Sequence, residues 1–234
     1  MTKRVVPRGN LFVISAPSGT GKTTIVERLV HAVPDLRMSL SYTSRDQRSG
    51  ECDGRDYHFV SRDRFNAMVS SDDFLEWADV FGNLYGTSRA DTEEALSSGV
   101  DLIMVIDVQG AAQIKRLNFD ACFVFVLPPS YKALESRLRG RSRDDDKDVR
   151  LRLEVARDEI MASRDYNYVV VNEDLDSCVD RIRSIVLAVR SRQHLDNPMD
   201  SSNVVKIVRD FEKSIKVSNE NYQSVRNGNC GVKN

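Results

Sequence analysis

The chain has 234 residues, of which 41% are hydrophobic and 29% are charged, and its formal net charge is −1. This composition is ordinary for a globular protein and excludes a fibrous or wholly disordered chain. A net charge so close to zero argues against nucleic-acid binding through bulk positive charge, although a local group of cations could still bind a small anion.

The cysteines and the apolar runs exclude further classes. Cys52, Cys122, Cys178 and Cys230 are irregularly spaced and include no C-x-x-C pair. This spacing predicts reduced thiols in a cytoplasmic protein rather than a disulfide framework or a zinc site. The apolar run at residues 11–14 is too short for a signal peptide, and no segment approaches the ~20 apolar residues of a membrane span. We therefore expect no membrane partner.

The first predicted elements are a strand, a glycine-rich loop and a helix. Residues 11–15 are almost wholly apolar, which is typical of a buried parallel strand. Pro34 ends a helix that starts after Gly21. The apolar positions that predict this helix are Ile25, Leu29, Val30 and Val33.

The character of the sequence changes between residues 39 and 90. Many of the aromatic side chains lie here, mixed with arginine and aspartate, which indicates an α+β insertion with a polar, aromatic-lined cavity. The segment Ser88-Arg89-Ala90-Asp91 is a capping-box pattern that predicts the start of a helix ending at Gly99.

The rest of the chain alternates strands with helices. Buried strands are predicted at residues 101–106, 122–127 and 168–171, the charged segment 131–165 is mostly helical, and an amphipathic helix starts at Leu175. This alternation predicts an α/β fold with a parallel, doubly wound sheet. The polar, aperiodic residues 217–234 predict a disordered tail.

The strongest local motif is a phosphate-binding loop between the first strand and helix. Its residues are Ala16, Pro17, Ser18, Gly19, Thr20, Gly21, Lys22 and Thr23. They match G-x-x-x-x-G-K-[ST] except that alanine replaces the first glycine. The glycines let backbone N–H groups converge on phosphate oxygens at a helix N-terminus. Lys22 supplies a charge to the β- and γ-phosphates, and the Thr23 hydroxyl can reach Mg²⁺.

A P-loop alone does not choose between GTPases, ATPases and nucleotide kinases. The Asn-Lys-x-Asp tetrapeptide of Ras-like GTPases is absent from the sequence. A second substrate site therefore has to come from other residues.

Six further segments resemble motifs of the guanylate kinase family. Residues 41–59 are similar to its S-x-T-T-R-x-x-R-x-G-E…G-x-x-Y-x-F signature, and the other segments to F-[IL]-E, G-N-x-Y-G-[ST], I-D-x-Q-G-A, R-L-x-G-R and V-N-[DE]-D. Those other segments are residues 74–78, 82–87, 106–111, 137–141 and 171–174. The resemblance runs in order from residue 11 to residue 192, and the ordered set is far more specific than any one motif. Val105 departs from the pattern, because many relatives carry an acidic residue there.

The resemblance implies a P-loop kinase that moves the γ-phosphoryl group of ATP onto GMP, and onto dGMP, with Mg²⁺. It implies a core domain of residues 1–39, 91–131 and 164–216, a GMP-binding subdomain of residues 40–90 and a lid of residues 132–163. ATP and GMP are the implied partners, and the choice between monomer and homo-oligomer stays open.

The resemblance also assigns roles to residues. The GMP phosphate would be held by Arg45, Arg48, Tyr57 and Tyr85, and the guanine base by Glu76 with Ser41, Thr87 and Asp107. ATP would be bound by the P-loop together with Thr24, Arg137, Arg141 and Asn172. The catalytic residues would be Lys22, Arg45, Arg137, Arg141 and Arg152. Mg²⁺ would be held by Thr23, with Asp107 as a second ligand.

Two alternatives remain at this point. One is a guanylate-kinase-like binding module without catalysis, although the intact glycines and lysine of the P-loop argue against it. The other is a P-loop kinase acting on a different phosphate ester, such as a ribose bisphosphate. Glu76 and Ser41 argue against that acceptor, because a sugar phosphate offers them no base to read.

Overall fold

The computed structural model describes residues 7–80, 82–141 and 146–195. The first half of the chain contains β1 (Leu11–Ser15), α1 (Lys22–Ala32), β2 (Leu36–Met38), β3 (Tyr42–Thr43), β4 (His58–Phe59), α2 (Arg62–Ser70), β5 (Phe74–Val80), β6 (Asn83–Ser88) and α3 (Arg89–Ser97). The second half contains β7 (Asp101–Val105), α4 (Val108–Arg116), β8 (Cys122–Leu127), α5 (Tyr131–Arg141), α6 (Asp146–Met161), a 3₁₀ helix (Ala162–Asp165), β9 (Tyr168–Val171) and α7 (Leu175–Leu195).

Five parallel strands form the larger sheet, in the order β2–β7–β1–β8–β9. Strand β1 lies at its centre, and all five of its residues are buried. An apolar run of this kind is what a strand covered on both faces requires. The prediction of a parallel, doubly wound α/β sheet is confirmed, and the carboxyl ends of β1, β7 and β8 meet at one edge of it.

Four strands form the smaller sheet, in the order β4–β3–β6–β5. Strand β5 is its edge strand and pairs antiparallel with β6. The register shifts between Phe74 and Glu76, which makes Leu75 the extra residue of a β-bulge. The bulge breaks the alternation of β5, so three consecutive side chains, residues 74–76, are all buried.

Separate apolar cores hold these elements together. The side chains of Leu75 and of strands β1 and β7 share one core cluster with α4. Phe65, Met68, Phe74 and Leu84 form a second cluster inside the smaller sheet and α2. Helices α5 and α6 make a third cluster between themselves, of Leu134, Leu138, Val149, Leu153 and Ala156.

The chain divides into two compact units, residues 1–186 and residues 187–234. Every site described below lies in the first unit, and the second is described only up to Leu195. The predicted tail, residues 217–234, lies outside the described residues. Cys52, Cys122 and Cys178 carry free thiols, and Cys230 lies outside the described residues. Within the described ranges no helix is both long enough and apolar enough to cross a membrane.

Candidate active site

The P-loop follows β1 at the carboxyl edge of the larger sheet. Gly19 and Gly21 have φ angles of 83° and 98°, in the left-handed region where a side chain is strained. Gly21 is also the N-cap of α1, and its carbonyl accepts the N–H of Ile25 at 3.1 Å. The loop therefore leads directly into the N-terminus of a helix, as an anion-binding site requires.

Lys22, the first residue of α1, folds back over the loop, and its ammonium group donates a hydrogen bond to the Ala16 carbonyl. Thr23 and Thr24 follow it and are exposed at the start of α1. The lysine, both hydroxyls and the backbone N–H groups are thus collected at one helix end. This is the arrangement predicted for a triphosphate.

A cleft of about 400 Å³ opens beside the P-loop. Six predicted ATP-binding residues line it: Gly19, Thr20, Gly21, Thr24, Arg137 and Asn172. The Thr20 carbonyl accepts hydrogen bonds from Asn172 Nδ2 at 2.8 Å and from Arg137 Nη1 at 3.4 Å. Helix α5 and the β9–α7 loop therefore both contact the P-loop at the same residue.

Helix α5 also packs on the loop through apolar side chains. A Cβ added to Gly19 would lie 3.0 Å from Leu138 Cδ2 and 3.4 Å from Leu134 Cδ1. Arg152 is half-buried on α6, which shares a core with α5. Arg141 is the last residue of α5, and its side chain lies outside the described part of the structure.

A second group of predicted residues surrounds Arg45, just after β3, and we call it the arginine end. Arg45 Nη2 donates to both Glu51 oxygens, at 2.8 and 3.0 Å, and Nε donates to the Tyr85 hydroxyl at 3.2 Å. The guanidinium also lies over the rings of Tyr57 and Phe59, 5.6 and 5.7 Å from their centroids. The hydrogen bond to Glu51 raises the pKa of Arg45, and the same bond lowers the pKa of Glu51.

Arg48 and Glu51 complete this end. The Arg48 backbone N–H donates to Glu51 Oε2 at 2.8 Å, while the Arg48 side chain is exposed. Glu51 belongs to the motif of residues 41–59, but the sequence predicts no role for it. The contact that holds Arg45 in place, six residues away, could not be predicted from a single acidic residue in a loop.

The third group lies around Glu76 on β5, and we call it the carboxylate end. The Glu76 side chain is 5% exposed, and its Oε1 accepts the Thr87 hydroxyl at 2.6 Å. Burial raises the pKa of Glu76 to about 7, the Thr87 hydrogen bond opposes this, and the negative charge of Asp107 adds to it. No cationic side chain among the described residues forms an ion pair with Glu76.

Asp107 and Ser41 take positions near this end. Asp107 is the N-cap of α4, and its Oδ1 accepts the Gly110 N–H at 2.8 Å. Ser41 is half-buried just before β3, and its backbone carbonyl accepts the His58 N–H at 2.9 Å. The structure thus places Asp107 where its charge reaches Glu76, while Ser41 contacts the β4 backbone.

The two ends are joined by strand β6. Tyr85, which contacts Arg45, and Thr87, which contacts Glu76, are two residues apart, so their side chains project from the same face of the strand. A ligand lying along that face would meet a guanidinium at one end and a carboxylate at the other.

Two groups near the strand ends were not predicted. Glu159 on α6 has a pKa raised first by burial, and it is close enough to Lys22 and Asp107 for their charges to act on it. Burial also raises the pKa of Tyr166 to about 12. Its hydroxyl makes no well-formed hydrogen bond, although it lies near Ser15. Neither residue belongs to a local motif, so no sequence signal pointed to them.

A family model and curated relatives agree on where this chain belongs. The family model described as guanylate kinase matches residues 8–189. This chain belongs to the guanylate kinase family. It is 47% identical over 184 residues to the guanylate kinase of Geobacter metallireducens, covering 79% of this chain and 91% of that protein. It is 51% identical over 180 residues to that of Syntrophotalea carbinolica, covering 77% and 86%.

A solved structure agrees with these relatives. The crystal structure of guanylate kinase from Anaplasma phagocytophilum matches with a TM-score of 0.62 and 34% sequence identity, covering 80% of this chain and 87% of that one. The family resemblance predicted from the sequence motifs is therefore confirmed, and the P-loop and the two ends described above are features of a guanylate kinase family member.

Proposed function

We propose that this member of the guanylate kinase family transfers the γ-phosphoryl group of ATP to GMP, giving ADP and GDP. The observation that carries the proposal is the shared face of β6. Tyr85 on that face contacts the Arg45 guanidinium, and Thr87 contacts the buried Glu76 carboxylate. A nucleoside monophosphate has a phosphate at one end, which suits the guanidinium, and a base at the other, which suits the carboxylate.

The carboxylate selects guanine by its hydrogen-bonding pattern. Guanine presents two adjacent N–H donors, from N1 and the exocyclic amino group, and an ionised carboxylate is an acceptor only. Adenine presents an acceptor at N1, so Glu76 would face a lone pair. A buried acid left without partners makes the wrong base strongly unfavourable.

The arginine end binds the phosphate of the acceptor. A guanidinium forms two parallel charge-assisted hydrogen bonds to phosphate oxygens, and the tyrosine hydroxyls add further donors. Arg45 and Arg48 together with Tyr57 and Tyr85 have the chemistry for this role. Arg45 is already oriented by Glu51, so little side-chain freedom is lost when the acceptor binds.

The donor side uses the P-loop and the cleft beside it. Backbone N–H groups and Lys22 hold the β- and γ-phosphates, and Arg137 and Asn172 line the cleft for the rest of ATP. Arg137, Arg141 and Arg152 neutralise charge on the transferring group. The GMP phosphate is itself the nucleophile, so no covalent intermediate with the protein is required.

Mg²⁺ fits the oxygen groups at this edge of the sheet. The Thr23 hydroxyl is exposed at the start of α1, and the Asp107 carboxylate has one oxygen in the α4 cap. No group of three or more acidic, histidine or cysteine side chains that could hold a metal occurs in the described ranges. A hydroxyl and a single carboxylate suit Mg²⁺, which keeps several waters and binds mainly through substrate phosphates. When bound, it neutralises charge on the β- and γ-phosphate oxygens.

The division into a core, a GMP-binding subdomain and a lid is part of the proposal. The smaller sheet, within residues 40–90, carries both ends of the acceptor site. Helices α5 and α6 have a core of their own, and α5 contacts the P-loop through Leu134, Leu138 and Arg137. Closure of this pair over ATP would bring its arginines to the phosphates.

The decisive test is a panel of acceptors in a coupled ADP-release assay with Mg²⁺ and ATP. We expect GMP and dGMP to be phosphorylated, and AMP and ribose bisphosphates to react at least about 10³-fold less efficiently. Lys22→Ala is the matched inactive control, with kcat lower by about 10² or more, as for other electrostatic stabilisers. A preference for AMP or for a sugar phosphate would overturn the proposal.

A further inference from the structure

Helix α4 contacts the base-reading strand at the residue next to Glu76. Gln113 Nε2 donates to the Trp77 carbonyl at 2.7 Å, and Gln113 Oε1 accepts the Trp77 N–H at 3.1 Å. Strand β5 is the edge of its sheet, so these two backbone groups have no neighbouring strand. The glutamine amide takes the place of that strand and attaches β5 to the helix.

Gly110 lies one turn earlier on the same helix face, three residues before Gln113. A Cβ added there would lie 2.5 Å from Glu76 Oε2 and 3.3 Å from its Cδ. Glycine weakens a helix interior by about 0.5–1 kcal/mol relative to alanine, and the backbone of Gly110 has no positive φ that would require it. The presence of glycine at position 110 therefore has a steric reason, because the Glu76 carboxylate occupies the volume that a side chain would fill.

The other side of Glu76 is fixed by the bulge. Leu75 is 2% exposed and packs in the core cluster that contains Ile114 of α4. Glu76 thus lies between an apolar anchor at Leu75 and a polar anchor at Trp77, and both anchors lead to α4. The position of the carboxylate follows the position of this helix.

We propose that Gln113 and Gly110 are positioning residues that determine where the Glu76 carboxylate meets the acceptor base. The inference rests on the proposed reading of guanine by Glu76. Hydrogen bonds lose most of their strength when distance or angle is poor, so a small displacement of β5 or of the carboxylate weakens both bonds to the base together. The donor site shares neither contact and is unaffected.

The first variant is Gln113→Met, which keeps the bulk of the side chain and removes both hydrogen bonds. Because Trp77 is partly exposed, water can replace the lost partners and the fold persists. We expect the Kd of GMP to rise about tenfold, as for the loss of one or two well-oriented hydrogen bonds. The Kd of ATP should stay unchanged, and kcat at saturating GMP should fall less than the Kd rises.

The second variant is Gly110→Ala, which separates positioning from folding. Alanine favours the helix, so thermal stability should not fall, while the added methyl group displaces the carboxylate. We expect the Kd of GMP to rise about 30-fold, because charge-assisted bonds are lost. Arg116→Ala is the matched control on the same helix, since Arg116 Nε donates to the carbonyl of Ala112 in its own helix at 3.3 Å.

Calorimetric titration of each variant with GMP and with ATP measures both dissociation constants independently of the active fraction. A weakened GMP complex with normal ATP binding in both variants supports the inference. If both variants bind GMP as the parent does, while Glu76→Gln binds it weakly, the positioning roles are wrong and the proposed function stands. If Glu76→Gln also binds GMP normally, the base-reading role of Glu76 itself is wrong.

Discussion

The two ends of the acceptor site differ in whether their buried charged side chain has a partner of opposite charge. At the arginine end the guanidinium of Arg45 is only 10% exposed, and Glu51 neutralises it. At the carboxylate end Glu76 is buried among uncharged groups. The charged group that acts on it is Asp107, which is also negative. One charge is paired inside the protein before any ligand arrives, and the other is not.

The difference follows from what each end has to bind. A phosphate is ionised at neutral pH, so an arginine can be kept charged and oriented by a carboxylate that stays beside it. Guanine is neutral and offers two N–H donors, so the protein must present an acceptor without a competing cation. An unpaired buried carboxylate is costly to the fold, and it therefore discriminates strongly between bases that satisfy it and bases that do not.

The largest expected effect on activity comes from a substitution at the arginine end. Arg45→Met keeps much of the apolar contact with Tyr57 and removes the charge-assisted donors. We expect kcat/KM for GMP to fall about 10³-fold, because the lost bonds act on the phosphate that attacks. Steady-state kinetics with GMP varied at saturating ATP measures the change.

Arg55→Met is the control for that substitution. Arg55 lies in the same loop region and pairs with Asp56 at 2.8 Å, but both side chains are exposed. We expect its kcat/KM to stay within about threefold of the parent, as for most surface ion pairs. An equal loss in both variants would mean that general positive charge, rather than the oriented Arg45, binds the acceptor.

A smaller effect is expected at the carboxylate end. Glu76→Gln keeps the size of the side chain and one acceptor oxygen, so some hydrogen bonding to guanine survives. We expect kcat/KM for GMP to fall about 10²-fold, corresponding to the loss of charge-assisted bonds. The preference for GMP over AMP should shrink with it, because a glutamine can also donate to adenine N1.

Thr87→Val provides the matched control for Glu76. It removes the hydroxyl that donates to Glu76 Oε1 and keeps the carboxyl group, whose pKa rises further without that hydrogen bond. We expect a loss of only about tenfold in kcat/KM for GMP, as for one hydrogen bond. A Thr87 variant more impaired than Glu76→Gln would assign base reading to the hydroxyl.

Sequence patterns predicted four of the five strands of the larger sheet, and they missed β2, which has only three residues. Strands β1, β8 and β9 begin and end where their apolar runs do, at residues 11–15, 122–127 and 168–171. The Ser88 cap of α3 was also correct, since its hydroxyl accepts the Asp91 N–H at 3.2 Å. Strand β7 was predicted one residue too long, because Ile106 already leads into the Asp107 cap of α4.

The smaller sheet and its contacts could not be predicted in the same way. Strands β3 and β4 have two residues each, too few to show any alternation. The contact of Gln113 with Trp77 spans 36 residues, and the space at Gly110 exists only in the folded chain. The residues of the acceptor site were therefore predicted from the family resemblance, which encodes long-range contacts that local patterns lack.

A still smaller effect follows from the pKa of Glu76, which burial raises to about 7. The ionised carboxylate accepts both N–H groups of guanine, and the protonated form does not. As the pH falls from 8 to 6, we expect kcat/KM for GMP to fall about tenfold through this group. The ratio of parent to Glu76→Gln activity cancels the titration of the GMP phosphate. A ratio that does not vary with pH would mean that Glu76 is ionised throughout.

The smallest expected effect concerns stability, and its sign follows from the same pKa. The folded pKa of about 7 lies above the unfolded value, so the folded protein binds the extra proton between pH 4.5 and 7. Stability due to Glu76 is therefore fully present below pH 4.5 and falls as the pH rises through 7. Glu76→Gln removes that loss but leaves an amide N–H to satisfy, so we expect a net gain of about 1 kcal/mol in the free energy of unfolding at pH 8.

Urea denaturation of both proteins at pH 8 and at pH 4.5 measures this gain, which should disappear at the lower pH. A variant less stable than the parent at pH 8 would mean that the carboxylate is solvated or paired, and the contrast between the two ends would then be lost.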